Sequence, residues 1–370
     1  MAGTETDARG APRPSPLGPV AGGARPRLGW MDTARGITMI LVVLLHADVV
    51  TQQIGNQVLV VTLFDYALFP LRMPMFFLVS GLLAAGLLRR PAGEVLRRRV
   101  LHYAWLYPLW LAIYAVAHSW VLRDVGPPAL QAAYNKVESP VSALLVTWND
   151  VWFLYALMLF FATALLLRRL PPAAQAAVAL ALAVPGLLKL GQAIGLPVID
   201  RFYHFPYFML GILGAERLRD AIPRLGRLWI FLPLAAACLV LAGLAHQQRV
   251  LRDPAVIAAL SPLAMPVELG LAVWLTRHAP RLAAPLQAVG RNTLAVYVLH
   301  TIILRLLLAF VPAPGGLADV PWLLGLTLAA VALAVGLGKL LEPVPGLFGL
   351  PGLSRRGRKP AAEEQVARAA

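Results

Sequence analysis

The sequence predicts an all-α, polytopic membrane protein with about ten transmembrane helices. Of its 370 residues, 59% are hydrophobic and only 14% are charged, whereas soluble domains carry roughly 25% charged residues. Apolar runs of about 20 residues recur between positions 36 and 341, which is the helix length that crosses ~30 Å of hydrocarbon. Transmembrane β-strands would instead alternate apolar and polar residues. The runs therefore predict helices.

Ten candidate spans follow one another along the chain. They cover residues 34–53, 60–88, 100–121, 150–168, 173–190, 202–217, 228–246, 255–276, 291–311 and 321–341. The second span contains Pro70 and Pro74, so we expect a kink or an interfacial start there. Residues 123–149 form the one sizeable loop. The Pro- and Arg-rich N-terminal stretch has no apolar signal-peptide core, and we expect it to be disordered.

The positive charges of the loops support this count. With a cytoplasmic N-terminus, the inside segments hold 23 Arg and Lys residues and the outside segments hold six. This asymmetry follows the positive-inside rule and predicts that both termini are cytoplasmic. The net charge of +15 does not indicate nucleic-acid binding, because the basic residues are spread over short loops without a nucleic-acid motif. Cys238 is the one cysteine and is interpreted as a core residue.

Asp32, Arg35 and His46 lie on or beside the first span, in the stretch RLGWMDTARGITMILVVLLH (27–46). At 100° per residue, Arg35 and His46 lie within about 20° of one helix face and about 16 Å apart along the axis. They can line one path without touching. Asp32 precedes Arg35 by three residues, which predicts an ion pair. In a plainer interpretation, Asp32 and Arg35 are interfacial anchors and His46 is bonded to a neighbouring helix.

Other polar residues lie within or beside the apolar runs. They are Asp65, Arg72, Ser80, Arg89, Arg90, Asp150, Trp152, His204, Glu268, Asn292, Tyr297, His300 and Arg305. The Ser80–Gly81 pair is more typical of close helix packing than of a nucleophile. Trp152 is typical of an interfacial anchor. Glu268 is expected to have a partner or to bind a proton, because an unpaired carboxylate is costly in a membrane. No soluble-enzyme motif and no zinc-ligand spacing is present, so no metal site is predicted.

Read together, four segments resemble the acyltransferase-3 family of integral membrane acyltransferases. They are WMDTARGITMILVVLLH, MPMFFLVSG, VWFLYAL and GRNTLAVYVLH, and the resemblance covers about residues 28–342. Arg35 and His46 match the family's arginine and histidine separated by ten residues. The DTARGI wording is similar to the fucose 4-O-acetylase-like branch.

The resemblance implies transfer of an acyl group, often acetyl and not aminoacyl, from cytoplasmic acyl-CoA to a hydroxyl of a glycan, lipid-linked sugar or secondary metabolite. It implies His46 as general base, Arg35 as a donor-positioning residue and Asp32 as its orienting partner. Arg89 and Arg90 lie about where the family has a basic motif, although the arginine expected three positions later is Ala92 here. The expected substrate-binding residues are Arg72, Ser80, Arg89, Arg90, Trp152, His204, Glu268, Asn292, Tyr297 and His300.

The same resemblance implies a membrane acyltransferase domain at residues 28–345, between disordered cytoplasmic tails at 1–27 and 346–370. It places the protein in a bacterial cytoplasmic membrane, with acyl-CoA, the acceptor and lipid as its partners. A transporter or flippase for a glycan or lipid is the main alternative, and a membrane scaffold is another. An internal repeat and paired broken helices would favour a transporter, and the sequence shows neither.

Overall fold

A computed structural model describes residues 28–56, 58, 61–62, 64, 67–134, 151–248, 250 and 253–352. Within these ranges every regular element is a helix, so the predicted all-α class is confirmed. Asp65 and Asp150 lie outside the described residues, as do the N-terminal stretch 1–27 and residues 353–370.

The α-helices of more than four residues are labelled α1 to α13 in chain order. They are α1 (Gly29–Gln53), α2 (Phe69–Leu88), α3 (Ala92–Val121), α4 (Pro128–Tyr134), α5 (Trp152–Leu167), α6 (Pro172–Leu187), α7 (Phe205–Leu213), α8 (Ala215–Leu225), α9 (Leu228–Gln247), α10 (Pro254–His278), α11 (Pro280–Arg291), α12 (Thr293–Phe310) and α13 (Asp319–Leu340). Helix α3 includes π-helical turns at Leu96–Val100 and Ala117–Val121, and a 3₁₀ helix, Ile199–His204, precedes α7.

Seven of the helices in the described ranges are long and apolar enough to cross a membrane, namely α1, α2, α3, α9, α10, α12 and α13. Helices α5 and α6 are apolar but have only 16 residues each. The predicted span 202–217 is interrupted, because a 3₁₀ turn leads into the short α7 and α8 begins at Ala215. The count of ten and the cytoplasmic termini therefore stay predictions.

The second predicted span contains helix α2 in its second half, and the described residues 61, 62 and 64 before α2 are helical as well. Helix α2 starts at Phe69 with Pro70 in its first turn, and Pro74 lies inside the helix. Proline suits the first turn because its missing N–H would have no helical acceptor there.

Helix α1 is the central element of the bundle. It contacts α2, α10, α11, α12 and α13. About 61% of an apolar 18-residue stretch of α1 is buried. The corresponding share for α9 is 17%, and Trp229 of α9 is 71% exposed. Helix α1 is therefore largely enclosed by other helices, whereas α9 presents an apolar surface suited to lipid.

Asp253 fixes the start of α10 outside the apolar segment. Its carboxylate accepts a hydrogen bond from the Ala255 N–H at 2.9 Å and forms an ion pair with Lys189 Nζ at 2.7 Å. The hydrogen bond from Lys189 lowers the pKa of the Asp253 carboxyl below its usual value. Asp253 is thus an N-cap that also ties α10 to the segment after α6.

Helices α2 and α7 pack through paired glycines. A Cβ on Gly81 would lie 2.0 Å from the Phe208 carbonyl oxygen, and one on Gly211 would lie 2.2 Å from the Leu78 carbonyl oxygen. Both contacts are with backbone atoms, so an added Cβ could be accommodated only if the two helices moved apart. The close-packing interpretation of the Ser80–Gly81 pair is confirmed for Gly81.

This contact gives a stability prediction. Gly81→Ala is expected to destabilise the protein by about 2 kcal/mol, because the added methyl group must push two backbones apart. The measurement is the thermal unfolding midpoint in detergent. Gly86→Ala is the matched control on the same helix, because a Cβ there meets nothing within 4 Å. Equal midpoints for the two variants would contradict the packing argument.

Candidate functional site

Two histidines meet at the centre of the bundle. The rings of His46 on α1 and His300 on α12 are 4.8 Å apart between centroids and edge-to-face at 79°. His300 is fully buried, while His46 is half-buried. The sequence suggested each histidine separately, and the structure brings them together.

Backbone carbonyls select the same tautomer in both rings. His46 Nδ1 lies 2.8 Å from the Val42 carbonyl oxygen, and His300 Nδ1 lies 2.7 Å from that of Tyr297. A carbonyl only accepts, so each Nδ1 is assigned the proton and each Nε2 keeps its lone pair. His300 Nε2 makes no hydrogen bond within the described residues. In each ring, Nε2 is therefore the nitrogen with acceptor capacity.

The predicted Asp32–Arg35 ion pair is present. Arg35 Nη1 lies 3.8 Å from Asp32 Oδ1 on the first turns of α1. A Cβ on Gly290 of α11 would lie 1.9 Å from the Asp32 carbonyl oxygen, so α11 presses directly on this turn. The backbone that carries the pair is held by close packing.

Arg35 lines a cavity of about 240 Å³. Its wall also includes Ser80, Tyr297, Arg99 and His102. The Tyr297 ring is 6.1 Å from the His300 ring, and its hydroxyl accepts a hydrogen bond from the Phe153 N–H at 3.0 Å. Tyr297 therefore connects the cavity that contains Arg35 to the histidine pair.

Arg99 and His102 are functional candidates that the sequence analysis missed. They lie three residues apart at the start of α3, and such spacing places both on one helix face. Arg99 Nε is shielded from water and makes no hydrogen bond within the described part of the chain. The run Arg97–Arg98–Arg99 leading into an apolar helix was the available signal.

Arg89 and Arg90 lie elsewhere. Arg89 pairs with Glu216 at 3.0 Å and Arg90 pairs with Glu94 at 2.8 Å, and both side chains are exposed. Neither lines the 240 Å³ cavity or the larger cavity of about 560 Å³ beside it. The larger cavity includes Asn292 in its wall.

Glu268 has the partner that was expected. It accepts a hydrogen bond from Thr38 Oγ1, and Arg72 interacts with it electrostatically. Arg72 and Glu268 are 2% and 3% exposed. Because the three residues belong to α1, α2 and α10 and do not line the two cavities, they tie the helices together behind the site.

Trp152 and His204 stack on each other. Their ring centroids are 6.0 Å apart at 22°, and the Arg201 guanidinium lies 4.4 Å from the Trp152 centroid. Arg201 also interacts electrostatically with Tyr297. The sequence analysis did not select Arg201. This aromatic group therefore borders the histidine pair through Tyr297.

Two further buried charges have structural partners. Asp48, which the sequence analysis overlooked, accepts hydrogen bonds from Gln52 at 2.7 Å and from Thr62 at 3.0 Å. Arg305 donates to the carbonyl oxygens of His118 and Leu122 at the end of α3. Arg305 thus satisfies carbonyls that a helix end leaves without partners.

The fold and the site define an integral membrane protein in which two histidines in contact, one half-buried and one fully buried, lie beside a basic cavity. A family model described as an acyltransferase domain matches residues 28–339. The chain therefore belongs to the acyltransferase-3 family and is an acyltransferase. No curated protein and no solved structure matches the chain.

Proposed function

We propose that the protein is a membrane O-acyltransferase that moves an acetyl group from cytoplasmic acetyl-CoA to a hydroxyl of a glycan, lipid-linked sugar or secondary metabolite. The observation that carries this proposal is the His46–His300 pair, connected through Tyr297 to the cavity that Arg35 lines. The sugar-directed choice rests on the similarity of DTARGI to the fucose 4-O-acetylase-like branch. The bacterial cytoplasmic membrane is the proposed location.

His46 acts as the general base in this mechanism. Its Nε2 takes the proton of the acceptor hydroxyl as that oxygen attacks the thioester carbonyl. The tetrahedral intermediate then collapses, the C–S bond breaks, and the imidazolium returns the proton to the departing CoA thiolate. Proton transfer by a positioned side chain contributes typically ~10²–10⁴-fold. No metal ion takes part.

His300 positions His46. It is fully buried, so it is poorly placed to meet a hydroxyl, whereas His46 is half-buried. Its ring packs edge-on against the His46 ring and, with the Val42 carbonyl, fixes the direction of His46 Nε2. A base held in one orientation lowers the entropic cost of reaching the reactive geometry.

Arg35 and Arg99 bind the donor. Both line the smaller cavity, and guanidinium groups suit carbonyl and phosphate oxygens. Asp32 orients Arg35 through their ion pair. Arg99 and His102 replace Arg89 and Arg90 in the proposed donor site, because the latter pair with surface carboxylates.

Trp152 and Arg201, both half-buried, form the acceptor side, and the buried His204 supports the Trp152 ring by stacking on it. The Trp152 ring offers a flat apolar surface to a sugar ring, and the Arg201 cation adds hydrogen-bond donors. Tyr297 lies between this group and the donor cavity, which suits a residue that contacts both substrates.

The test uses purified protein, acetyl-CoA and a membrane extract from cells that lack the gene. We expect release of free CoA and a new acetyl ester, detected by mass spectrometry of glycans and secreted metabolites. A protein that neither consumes acetyl-CoA nor forms an ester would refute the proposal. Redistribution of a glycan across the membrane without a new ester would identify a transporter instead.

A further inference from the structure

Residues 342–352, here called the C-terminal strap, are fastened to helix α3. Trp105 Nε1 donates to the Gly346 carbonyl oxygen at 2.8 Å, and Trp110 Nε1 donates to that of Leu347 at 2.9 Å. The Phe348 ring lies 5.8 Å from the Trp110 ring. Gly346 has φ +83°, which glycine adopts without strain. Part of the predicted C-terminal tail is therefore packed on the membrane domain.

The strap forms one wall of the larger cavity, which measures about 560 Å³. Its other lining residues include Arg291, Asn292 and His102. The acyltransferase match ends at residue 339, so the strap follows the matched domain. This cavity is therefore partly built from chain that the family match does not cover.

The two cavities are neighbours. His102 and Leu294 line both of them, so the larger cavity adjoins the smaller one that contains Arg35 and Arg99. The smaller cavity in turn reaches Tyr297, beside the histidine pair. A long ligand could extend from the strap through both cavities toward His46.

The polar groups of the larger cavity suit a nucleotide. Arg291 supplies a cation for phosphate at this wall, and Arg99 supplies another at the adjoining one. Glu342 and Asn292 offer acceptors for the amino group of a purine and the hydroxyls of a ribose. Phe348 adds an aromatic face on which a base can stack. A volume of this size is typical of small-molecule sites.

We propose that the larger cavity binds the 3′-phosphoadenosine diphosphate end of acyl-CoA, with the C-terminal strap as a built-in wall. The pantetheine arm then lies in the smaller cavity. This inference rests on the proposed function, because the ligand that it assigns to the larger cavity is one end of the donor of that reaction.

Arg291→Gln tests the charged wall. We expect the KM for acetyl-CoA to rise about tenfold, through loss of a charge-assisted contact with phosphate. The KM for S-acetylpantetheine, which lacks the nucleotide, and the kcat with either donor should not change. Arg281→Gln is the matched control, because Arg281 lies on the same helix and lines neither cavity.

Trp105→Phe tests the strap. The variant keeps an aromatic ring but removes the N–H that donates to Gly346. We expect a several-fold higher KM for acetyl-CoA and an unchanged KM for S-acetylpantetheine. Trp229→Phe on the exposed face of α9 is the matched control. Thermal unfolding midpoints of all variants confirm that each is folded.

The outcomes separate this inference from the proposed function. If wild-type protein has the same KM for both thioesters, or Arg291→Gln shifts both equally, the nucleotide site is refuted while the transferase stands. If wild-type protein uses neither thioester, the proposed function fails. Equilibrium dialysis with adenosine 3′,5′-bisphosphate then decides the inference alone: we expect binding that weakens about tenfold in Arg291→Gln, and absence of binding overturns it.

Discussion

Replacement of His46 by alanine is expected to lower acetyl transfer by at least about 10²-fold, to the limit of detection in most assays. The variant loses the Nε2 lone pair that takes the acceptor's proton, and no other half-buried histidine contacts His300 among the described residues. The measurement is the rate of free CoA release together with ester formation. Folding is checked by gel filtration and by the thermal unfolding midpoint.

Two variants sharpen this result. His278→Ala is the matched control, because His278 is exposed at the end of α10 and lines neither cavity. His300→Phe keeps a ring against His46 and should lower kcat less than His46→Ala does, because His300 positions the base rather than acting as one. Normal ester formation by His46→Ala would remove His46 from the mechanism. A greater loss of kcat in His300→Phe than in His46→Ala would show that His300 is the general base and His46 the positioning residue.

Replacement of Arg35 by alanine is the second change with a large expected effect. We expect kcat/KM for acetyl-CoA to fall by about 10²-fold or more, because a guanidinium at a partly buried site contributes charge-assisted hydrogen bonds that water does not replace. Arg35→Lys should restore only part of the loss, since an ammonium cannot form the same planar, paired contacts. Steady-state kinetics with acetyl-CoA provide the measurement.

Arg217→Ala is the control for a general loss of positive charge. Arg217 is exposed on α8 and lines neither cavity, so its removal should change kcat/KM less than about twofold. Asp32→Asn should have a smaller effect than Arg35→Ala, because it loosens the orientation of Arg35 without removing the cation. Unchanged kinetics in Arg35→Ala would show that the donor is held elsewhere.

The helical class and most span boundaries were predictable because their cause is local. A lipid-exposed backbone must satisfy its own hydrogen bonds, so an apolar run of sufficient length folds as a helix. The predicted spans at 228–246 and 255–276 differ from α9 and α10 by at most two residues at each end. The Asp32–Arg35 pair was predictable for the same reason, since helix periodicity fixes its spacing.

The interrupted span at 202–217 was not predicted. Its composition is apolar, but a new helix begins at Phe205 after a 3₁₀ turn, with Pro206 in its first turn, and Gly211 is pressed against α2. Similarly, the sequence does not distinguish a run of arginines at the surface from one that lines a cavity. Only the tertiary structure shows that Arg89 pairs with Glu216 at the surface, whereas Arg99 lines a cavity.

The sequence by itself determined that this is an α-helical membrane protein, and it placed Arg35 and His46 on one stripe of α1. Both follow from hydrophobicity and helical periodicity, which depend on near neighbours in the chain. The tertiary structure decided that His300 packs against His46, that Tyr297 lines the cavity beside them, and that the C-terminal strap forms a wall of a second cavity. These contacts join segments far apart in sequence, and the packing of whole helices determines which of them meet.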